Sequence, residues 1–306
     1  MIPRVERQGT LTTTDGRTLA FLERGSSDGV PVIASHGTPG SRFTRHPDPE
    51  IYERHGVRAV IYDRPGYGLS DPHLGRSVAD AAADIAAIAD ELGFERFAVV
   101  GGSGGAPHVL ACGALLGNRI TRVGALVTPA PSDAPDFDFF DGLAELNVKE
   151  FGAALEGQEA IDAYLEPFVE GIRADPDGVI EQIAAELPEV DRKLLDREEV
   201  RTVLRTSFVE AVRQGARGWS DDDLAFAKPW GFELEDVSAE VRLWQGELDV
   251  LAPRSHGEYV ASRLPNARFE LLEGGGHFLD EEWGVVFDWL TAGEPLVPPR
   301  APSSRA

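Results

Sequence analysis

The sequence predicts an α/β fold in which a mostly parallel, doubly wound sheet carries an inserted all-helical segment. Three observations support this prediction. Short, almost continuous apolar runs are typical of strands that are covered on both faces, as parallel strands are. Helical patterns alternate with these runs, which favours strand–helix–strand units. One long central stretch shows only helical patterns.

The predicted β-structure consists of one hairpin near the start of the chain and six further strands along it. GTLTTTDGRTLAFLERG predicts the hairpin, because two alternating runs flank Asp15-Gly16. The apolar runs that predict strands are VPVIASHG, RAVIYDRPG, RFAVVGG, RVGALVTPA, VRLWQGELD and ARFELLEGGG. Residues 77–93 predict a helix, with a serine cap and a glycine stop. Further helices are predicted for GAPHVLACGALLG, SHGEYVASRL and FLDEEWGVVFDWL.

The central stretch divides the chain. Apolar residues recur there at spacings of three and four, as in amphipathic helices. We therefore expect a core formed by residues 1–132 and 239–292, a helical cap at 133–238, and a flexible Pro- and Ser-rich tail at 293–306. The cap holds 27 Asp and Glu against 10 Lys and Arg, and so carries −17 of the formal charge of −23.

Charge and cysteine content exclude several classes. The acidic balance argues against nucleic acid, whose phosphates need Lys and Arg, and less strongly against anionic membranes. The one cysteine, Cys112, permits neither an intramolecular disulfide nor a thiolate zinc cluster, and its apolar neighbours predict a buried structural thiol. No apolar signal core or membrane span is visible. We expect a cytoplasmic protein that acts on a small molecule, and the sequence leaves a homodimer open.

The five residues GGSGG, 101–105, predict a nucleophile. They fit G-x-S-x-G between a predicted strand and a predicted helix, which is the context of a nucleophile elbow. Side chains beside Ser103 would clash in so tight a turn, so glycines are expected there. Such turns also cradle phosphates. Here, however, neither G-x-G-x-x-G nor a Walker-type lysine is present.

A serine nucleophile needs a base and an orienting acid. His277 follows the last predicted strand in a glycine-rich loop and is the predicted base. Asp249 lies at the carboxyl end of the preceding strand and is the preferred acid, with Glu247 as its competitor. The chain order Ser–acid–His differs from that of trypsin-like and subtilisin-like proteases. The amide of Gly104, directly after the nucleophile, is one expected oxyanion donor.

Five stretches of the chain resemble, in this order, the motifs of the α/β-hydrolase superfamily with a helical cap. They are SHGTPGSR, DRPGYGLSD, GGSGG, GELDVLAP and GGGHF. The resemblance covers roughly residues 9–290. It implies that the HGTPG loop supplies the second oxyanion donor, the amide of Thr38, and that His36 braces this loop. It also implies a bracing role for DRPGYGLSD.

The resemblance further implies a reaction. Capped epoxide hydrolases and haloalkane dehalogenases use Asp at the elbow, so Ser103 disfavours those reactions. The expected function is hydrolysis of an ester, or a related acyl bond, through an acyl-enzyme and without a metal or organic cofactor. The alternatives are an aminopeptidase of proline-iminopeptidase type, a C–C bond hydrolase, a perhydrolase or a hydroxynitrile lyase. A non-catalytic binding protein on the same fold is a further alternative.

The substrate pocket is expected to use residues of the cap and of the catalytic loops. Aromatic residues are more often core than pocket, but any that line the site would indicate an apolar acyl or alcohol group. The acidic cap should disfavour anionic substrates. The candidate residues are Pro39, Phe137, Phe140, Trp219, Trp230 and Val250.

Overall fold

A computed structural model describes residues 4–293, so most of the predicted tail lies outside the described residues. The strands are β1 (Arg4–Thr12), β2 (Thr18–Ser26), β3 (Val30–Ser35), β4 (Val57–Tyr62), β5 (Phe97–Gly102), β6 (Ile120–Leu126), β7 (Glu240–Gly246) and β8 (Ala267–Leu272). The helices of the sheet's two faces are α1 (Ile51–Arg54), α2 (Ala81–Leu92), α3 (Ala106–Leu115), α10 (Arg254–Arg263) and α11 (Trp283–Thr291).

The strands form one sheet in the order β1-β2-β4-β3-β5-β6-β7-β8. β1 and β2 form the predicted antiparallel hairpin, and β2 pairs antiparallel with β4. From β4 to β8 every pairing is parallel. Each of the six predicted apolar runs is a strand. These pairings confirm the predicted parallel arrangement. Side chains on both faces of the inner strands are buried, as is typical of parallel sheets.

Helices cover both faces of the sheet, which confirms the doubly wound arrangement. Ile88 of α2, Val109 of α3 and Val260 of α10 belong to the apolar cluster on one face. Ile51 of α1 and Val286 of α11 belong to the cluster on the other face. Because β3 to β8 run parallel, their carboxyl ends meet at one edge of the sheet, and this is the edge where ligands bind in open α/β sheets.

The last helix begins later than the sequence predicts. The prediction started at Phe278, whereas α11 starts at Trp283. The Phe278 N–H donates to Asp191 instead, and Asp280 forms an ion pair with Arg197 at 2.5 Å. These tertiary contacts hold residues 278–282 in a loop.

Between β6 and β7 lie α4 (Glu145–Glu156), α5 (Gln158–Ala174), α6 (Pro176–Ala184), α7 (Glu189–Leu195), α8 (Glu198–Ala211) and α9 (Arg217–Phe226). As predicted, this part of the described chain contains no strand. We call residues 133–238 the helical segment, and the domain limits stay predictions. Its apolar side chains form a cluster of their own, which Tyr67 from the sheet domain joins. No described helix has the length and apolar character to cross a membrane.

Candidate active site

Ser103 lies in a single 3-10 turn between the end of β5 and the start of α3. Its φ of 53° is a left-handed conformation that residues other than glycine seldom adopt. A Cβ at Gly101 would overlap the Gly105 carbonyl oxygen, and a Cβ at Gly105 would overlap the Ser35 carbonyl oxygen. The fold therefore holds this serine in a strained turn, as a nucleophile elbow requires.

The two inner glycines differ from each other. A Cβ at Gly104 would overlap the Thr38 side chain, so glycine is required there as expected. At Gly102, however, the nearest atom to a Cβ would be Leu126 Cβ at 3.8 Å, which is ordinary contact. The expectation that steric crowding demands glycine beside Ser103 is thus wrong at Gly102, because the space in front of β5 is open there.

The structure brings His277 and Asp249 together. His277 Nδ1 lies 3.0 and 2.9 Å from the two carboxylate oxygens of Asp249. Asp249 also accepts N–H bonds from Leu251 and Ala252, at 2.9 and 3.0 Å, which fix its carboxylate. The competitor Glu247 accepts instead from the Gly274 N–H at 2.8 Å, on the exposed side of the loop.

The carboxylate also sets the charge behaviour of the imidazole. Burial alone would lower the pKa of His277, but the nearby Asp249 carboxylate outweighs burial and raises this pKa above its ordinary value. The hydrogen bond at Nδ1 leaves Nε2 as the free ring nitrogen. His277 and Ser103 line one cavity of about 330 Å³. Among residues 4–293 no hydrogen bond joins their side chains, and such bonds are often long without substrate.

The loop that carries Thr38 is held by buried polar contacts. Thr38 Oγ1 donates to Asp222 Oδ2 at 3.1 Å and accepts from Arg64 Nη2 at 2.8 Å. His36 Nδ1 lies 2.7 Å from the Gly37 carbonyl oxygen, and its Nε2 accepts the Arg64 N–H at 3.2 Å. His36 therefore braces the loop, as expected. In the described part of the chain the Thr38 N–H has no acceptor, so it is available to a ligand.

Asp222 of α9 was missed by sequence reasoning, although it is the centre of this bracing. Its carboxylate contacts Arg64 and Arg76 at 2.5 Å each and accepts the Tyr67 hydroxyl at 2.8 Å. Burial alone would raise the pKa of Asp222, but the two guanidinium groups hold it far below its ordinary range. DRPGYGLSD has the expected bracing role, since it supplies both Arg64 and Tyr67. Nothing in the run DDD distinguishes Asp222 from its neighbours.

Two further carboxyl groups, Glu150 of α4 and Asp223 of α9, lie in the cavity wall. Both are buried, and Glu150 Oε1 accepts the Trp219 Nε1–H at 2.6 Å. Burial raises the pKa of each carboxyl, and their mutual contact raises that of Asp223 further. Both carboxyl groups therefore keep a proton more readily than exposed carboxyl groups do. Asp223 Oδ2 has no hydrogen-bond partner among the described residues. One signal for Glu150 was available, since it lies beside the apolar Phe151 and Ala154 stripe of α4.

The candidate pocket residues divide into two groups. Pro39 and Trp219 line the cavity. Four others lie outside the lining because their side chains pack elsewhere. Phe137 packs on His256, with ring centroids 5.0 Å apart. Phe140 packs against the ring of Phe139, and Trp230 lies in the main apolar core. Val250 packs against a small apolar cluster that contains Leu187 and Leu195.

The helical segment supplies a large part of the apolar wall that the sequence did not single out. These side chains lie on the inner stripes of amphipathic helices, so only their periodicity signalled them. They are Leu146, Phe151, Phe168, Val203, Leu204 and Phe208. The predicted structural thiol is buried as expected, and burial raises the pKa of Cys112.

Comparison with known proteins identifies the family and the fold. The model of the alpha/beta hydrolase family matches residues 32–289. A non-heme chloroperoxidase from Streptomyces lividans is 33% identical over 52% of this chain, and the matched stretch covers 60% of that relative's length. A proline iminopeptidase from Xanthomonas citri is 37% identical over 34% of each chain. An epoxide hydrolase structure from Vigna radiata, 21% identical, superimposes with a TM-score of 0.68 over 93% of this chain and 96% of the other, which shows the shared fold.

Proposed function

Because the chain belongs to the alpha/beta hydrolase family, we propose that it is a serine hydrolase that cleaves a carboxylic ester, or a related acyl bond, of a small apolar substrate. The observation that carries this proposal is the cavity shared by Ser103 and His277, with Asp249 bonded to the far side of the imidazole. A nucleophile, a base and an orienting carboxylate are the groups that acyl transfer to water requires.

In the first half-reaction, Ser103 Oγ attacks the carbonyl carbon while His277 Nε2 takes the hydroxyl proton. Asp249 holds the ring in the tautomer that leaves Nε2 free, and it stabilises the imidazolium. The amides of Thr38 and Gly104 donate to the oxyanion. The intermediate then collapses, the bond to the leaving oxygen breaks, and that oxygen takes the proton from His277.

The second half-reaction releases the acid. His277 Nε2 takes a proton from water as the water oxygen attacks the acyl carbon. When this second intermediate collapses, the bond to Ser103 Oγ breaks and the serine regains its proton from His277. One water is consumed, and one acid and one alcohol are released.

The proposal is tested by hydrolysis of p-nitrophenyl esters and by covalent labelling with a fluorophosphonate. We expect the wild-type protein to react in both assays and Ser103→Ala to lose about 10³-fold or more of its kcat. Ser262→Ala is the matched control, because Ser262 is an exposed serine on α10, away from the cavity. Full hydrolysis by Ser103→Ala would rule the mechanism out.

A second candidate function, an aminopeptidase, is favoured by the Glu150 and Asp223 pair. An ammonium group beside the two carboxyl groups would stabilise their charged form, and Asp223 Oδ2 is free to accept its N–H. The similarity to a proline iminopeptidase over about a third of the chain agrees with this candidate.

Aminoacyl anilides separate the two functions. An aminopeptidase would cleave the anilides, and Glu150→Gln would raise their KM at least about tenfold, since a buried charged contact is lost. Glu156→Gln, an exposed position at the end of α4, serves as the control. Hydrolysis of esters alone, with anilides left intact by the wild-type protein, would eliminate the second candidate.

A further inference from the structure

The residues that line the catalytic cavity fall into two groups, and we describe the space beside each group as an arm of the cavity. One arm lies under the helical segment. The other, which we call the sheet arm, runs along the face of the sheet that α1 and α11 cover. It is lined by side chains of β3, β4, β5 and β6, namely Val32, Ala34, Ala59, Ile61, Val100 and Leu126.

Small residues open the sheet arm beside the nucleophile. Side chains alternate along a strand, so position 102 faces the same side as Val100. The missing side chain of Gly102 leaves this space open, since a Cβ there would only touch Leu126. One layer further down, Ala34 lies opposite Val100 in the β3–β5 register and is only partly buried. A strand presenting larger residues at these two positions would close the arm.

The register also gives the arm its depth. Val32, which lines the lower end, lies opposite Ala98, four residues before Gly102 on β5. At about 3.3 Å per residue, the lower end is ~13 Å from the level of Gly102. Trp283 and Phe287 of α11 line the outer side.

The lining of the sheet arm is apolar. Polar groups of the cavity lining lie near Tyr52, whose hydroxyl accepts the His46 N–H at 3.1 Å, and His46 Nε2 in turn lies 3.2 Å from Asp280 Oδ1. A narrow apolar space of this kind rewards burial of methylene groups, at about 0.8 kcal/mol for each. Among the side chains of the four strands, a charged or hydrogen-bonding group would find no side-chain partner and would be disfavoured.

We propose that the sheet arm binds an unbranched aliphatic chain on the acyl side of the substrate. This assignment rests on the acyl-transfer function proposed above. Five of the six strand side chains that line the arm belong to β4, β3 and β5, and Leu126 of β6 is the sixth, whereas Asp249 and His277 follow β7 and β8 at the other side of Ser103. The leaving oxygen must lie near His277 Nε2 to receive its proton. The acyl chain, which stays bonded to Ser103, is therefore the part that points into the arm.

The test measures kcat/KM for p-nitrophenyl octanoate and p-nitrophenyl acetate in Gly102→Val and Ala34→Leu. We expect the octanoate-to-acetate ratio to fall at least about tenfold in each variant, because added methyl groups occupy the arm. Gly152→Val is the matched control, since a Cβ at Gly152 meets no atom within 4 Å, and its ratio should equal that of the wild type. Ala34→Leu keeps the test valid if Gly102→Val does not fold.

Octyl acetate serves as the comparison substrate, because its long chain is on the alcohol side of the ester. An unchanged octanoate-to-acetate ratio in both variants, or a loss confined to octyl acetate, would overturn the proposal. Binding of octanamide to the Ser103→Ala variant gives a readout without catalysis, and it is measured as an increase in the Tm of this variant. We expect Ala34→Leu in that background to abolish it. Octanamide binding by a protein that cleaves no ester would contradict the proposed function and retain the sheet arm.

Discussion

Asp191 and His277 are joined by a hydrogen bond of 2.9 Å from the His277 N–H to Asp191 Oδ2. The second oxygen of the same carboxylate accepts the Phe278 N–H, also at 2.9 Å. A side chain at Gly276 would overlap this carboxylate, so the loop is shaped to receive it. Asp191 belongs to α7, and the helical segment therefore holds the loop that presents the candidate base.

We expect Asp191→Asn to lower kcat/KM for esters by about tenfold or more, with a smaller effect on KM. An amide oxygen can accept only part of what the carboxylate accepts, so one buried N–H loses its partner and the loop shifts. Hydrogen exchange of residues 273–282 should quicken in the variant. The control is Asp196→Asn, at the exposed end of the same helix. Wild-type kinetics and exchange in Asp191→Asn would contradict this positioning role.

The pH profile should report His277. Burial lowers its pKa, but Asp249, and to a smaller extent Asp191, raise it above the ordinary value. The base acts only when neutral, so kcat/KM should rise with pH, and the midpoint of this rise should lie above the ordinary histidine value of about 6.5. Asp191→Asn removes a negative charge and should move the acid limb to lower pH. An acid limb below the ordinary histidine range in the wild type would contradict this assignment.

Asp249→Asn should lower kcat by roughly 10⁴-fold with little loss of stability. An amide at this position can donate to Nδ1, which favours the tautomer whose Nε2 cannot accept the serine proton. Glu247→Gln is the matched control, because a glutamine oxygen can still accept the Gly274 N–H. Comparable losses in the two variants would contradict a specific orienting role for Asp249.

Asp222→Ala should reduce the free energy of unfolding by about 3–5 kcal/mol, since it leaves two buried guanidinium groups without their carboxylate. Urea denaturation measures this change. Asp221→Ala, the neighbouring substitution, should cost much less, because its partner Arg217 lies 3.4 Å away and is about a third exposed. Equal losses at the two positions would mean that the Asp222 network contributes nothing beyond ordinary burial.

The strained turn gives a last prediction. Gly105→Ala should destabilise the protein and reduce fluorophosphonate labelling, because its Cβ would overlap the Ser35 carbonyl and displace Ser103. Gly152→Ala, in the interior of α4, should instead stabilise by roughly 0.5–1 kcal/mol, since alanine is the better helix former and has room there. Thermal unfolding and labelling of the two variants provide the comparison.

Local patterns were enough for the framework. The hairpin, the six parallel strands and the helical stretch that begins after Ser77 and ends at Gly93 follow from apolar period, turn residues and caps, which act between near neighbours. Where a distant contact decided the backbone, as at Phe278, the predicted helix start was wrong. The aromatic pocket residues were only partly located, because an aromatic side chain packs equally well in a core or in a cavity wall.

The sequence by itself determined the sheet, the helical segment and the order of Ser103, Asp249 and His277, because these depend on local period and on chain order. Only the tertiary structure distinguished Asp191, Asp222 and the Glu150–Asp223 pair from the other acidic residues of the helical segment. Their roles come from burial and from partners far away in the chain, and an acidic residue has the same local pattern whether it faces water or a guanidinium group. The open space at Gly102 was likewise visible only in the tertiary structure, because it depends on the atoms that surround this residue and not on the glycine alone.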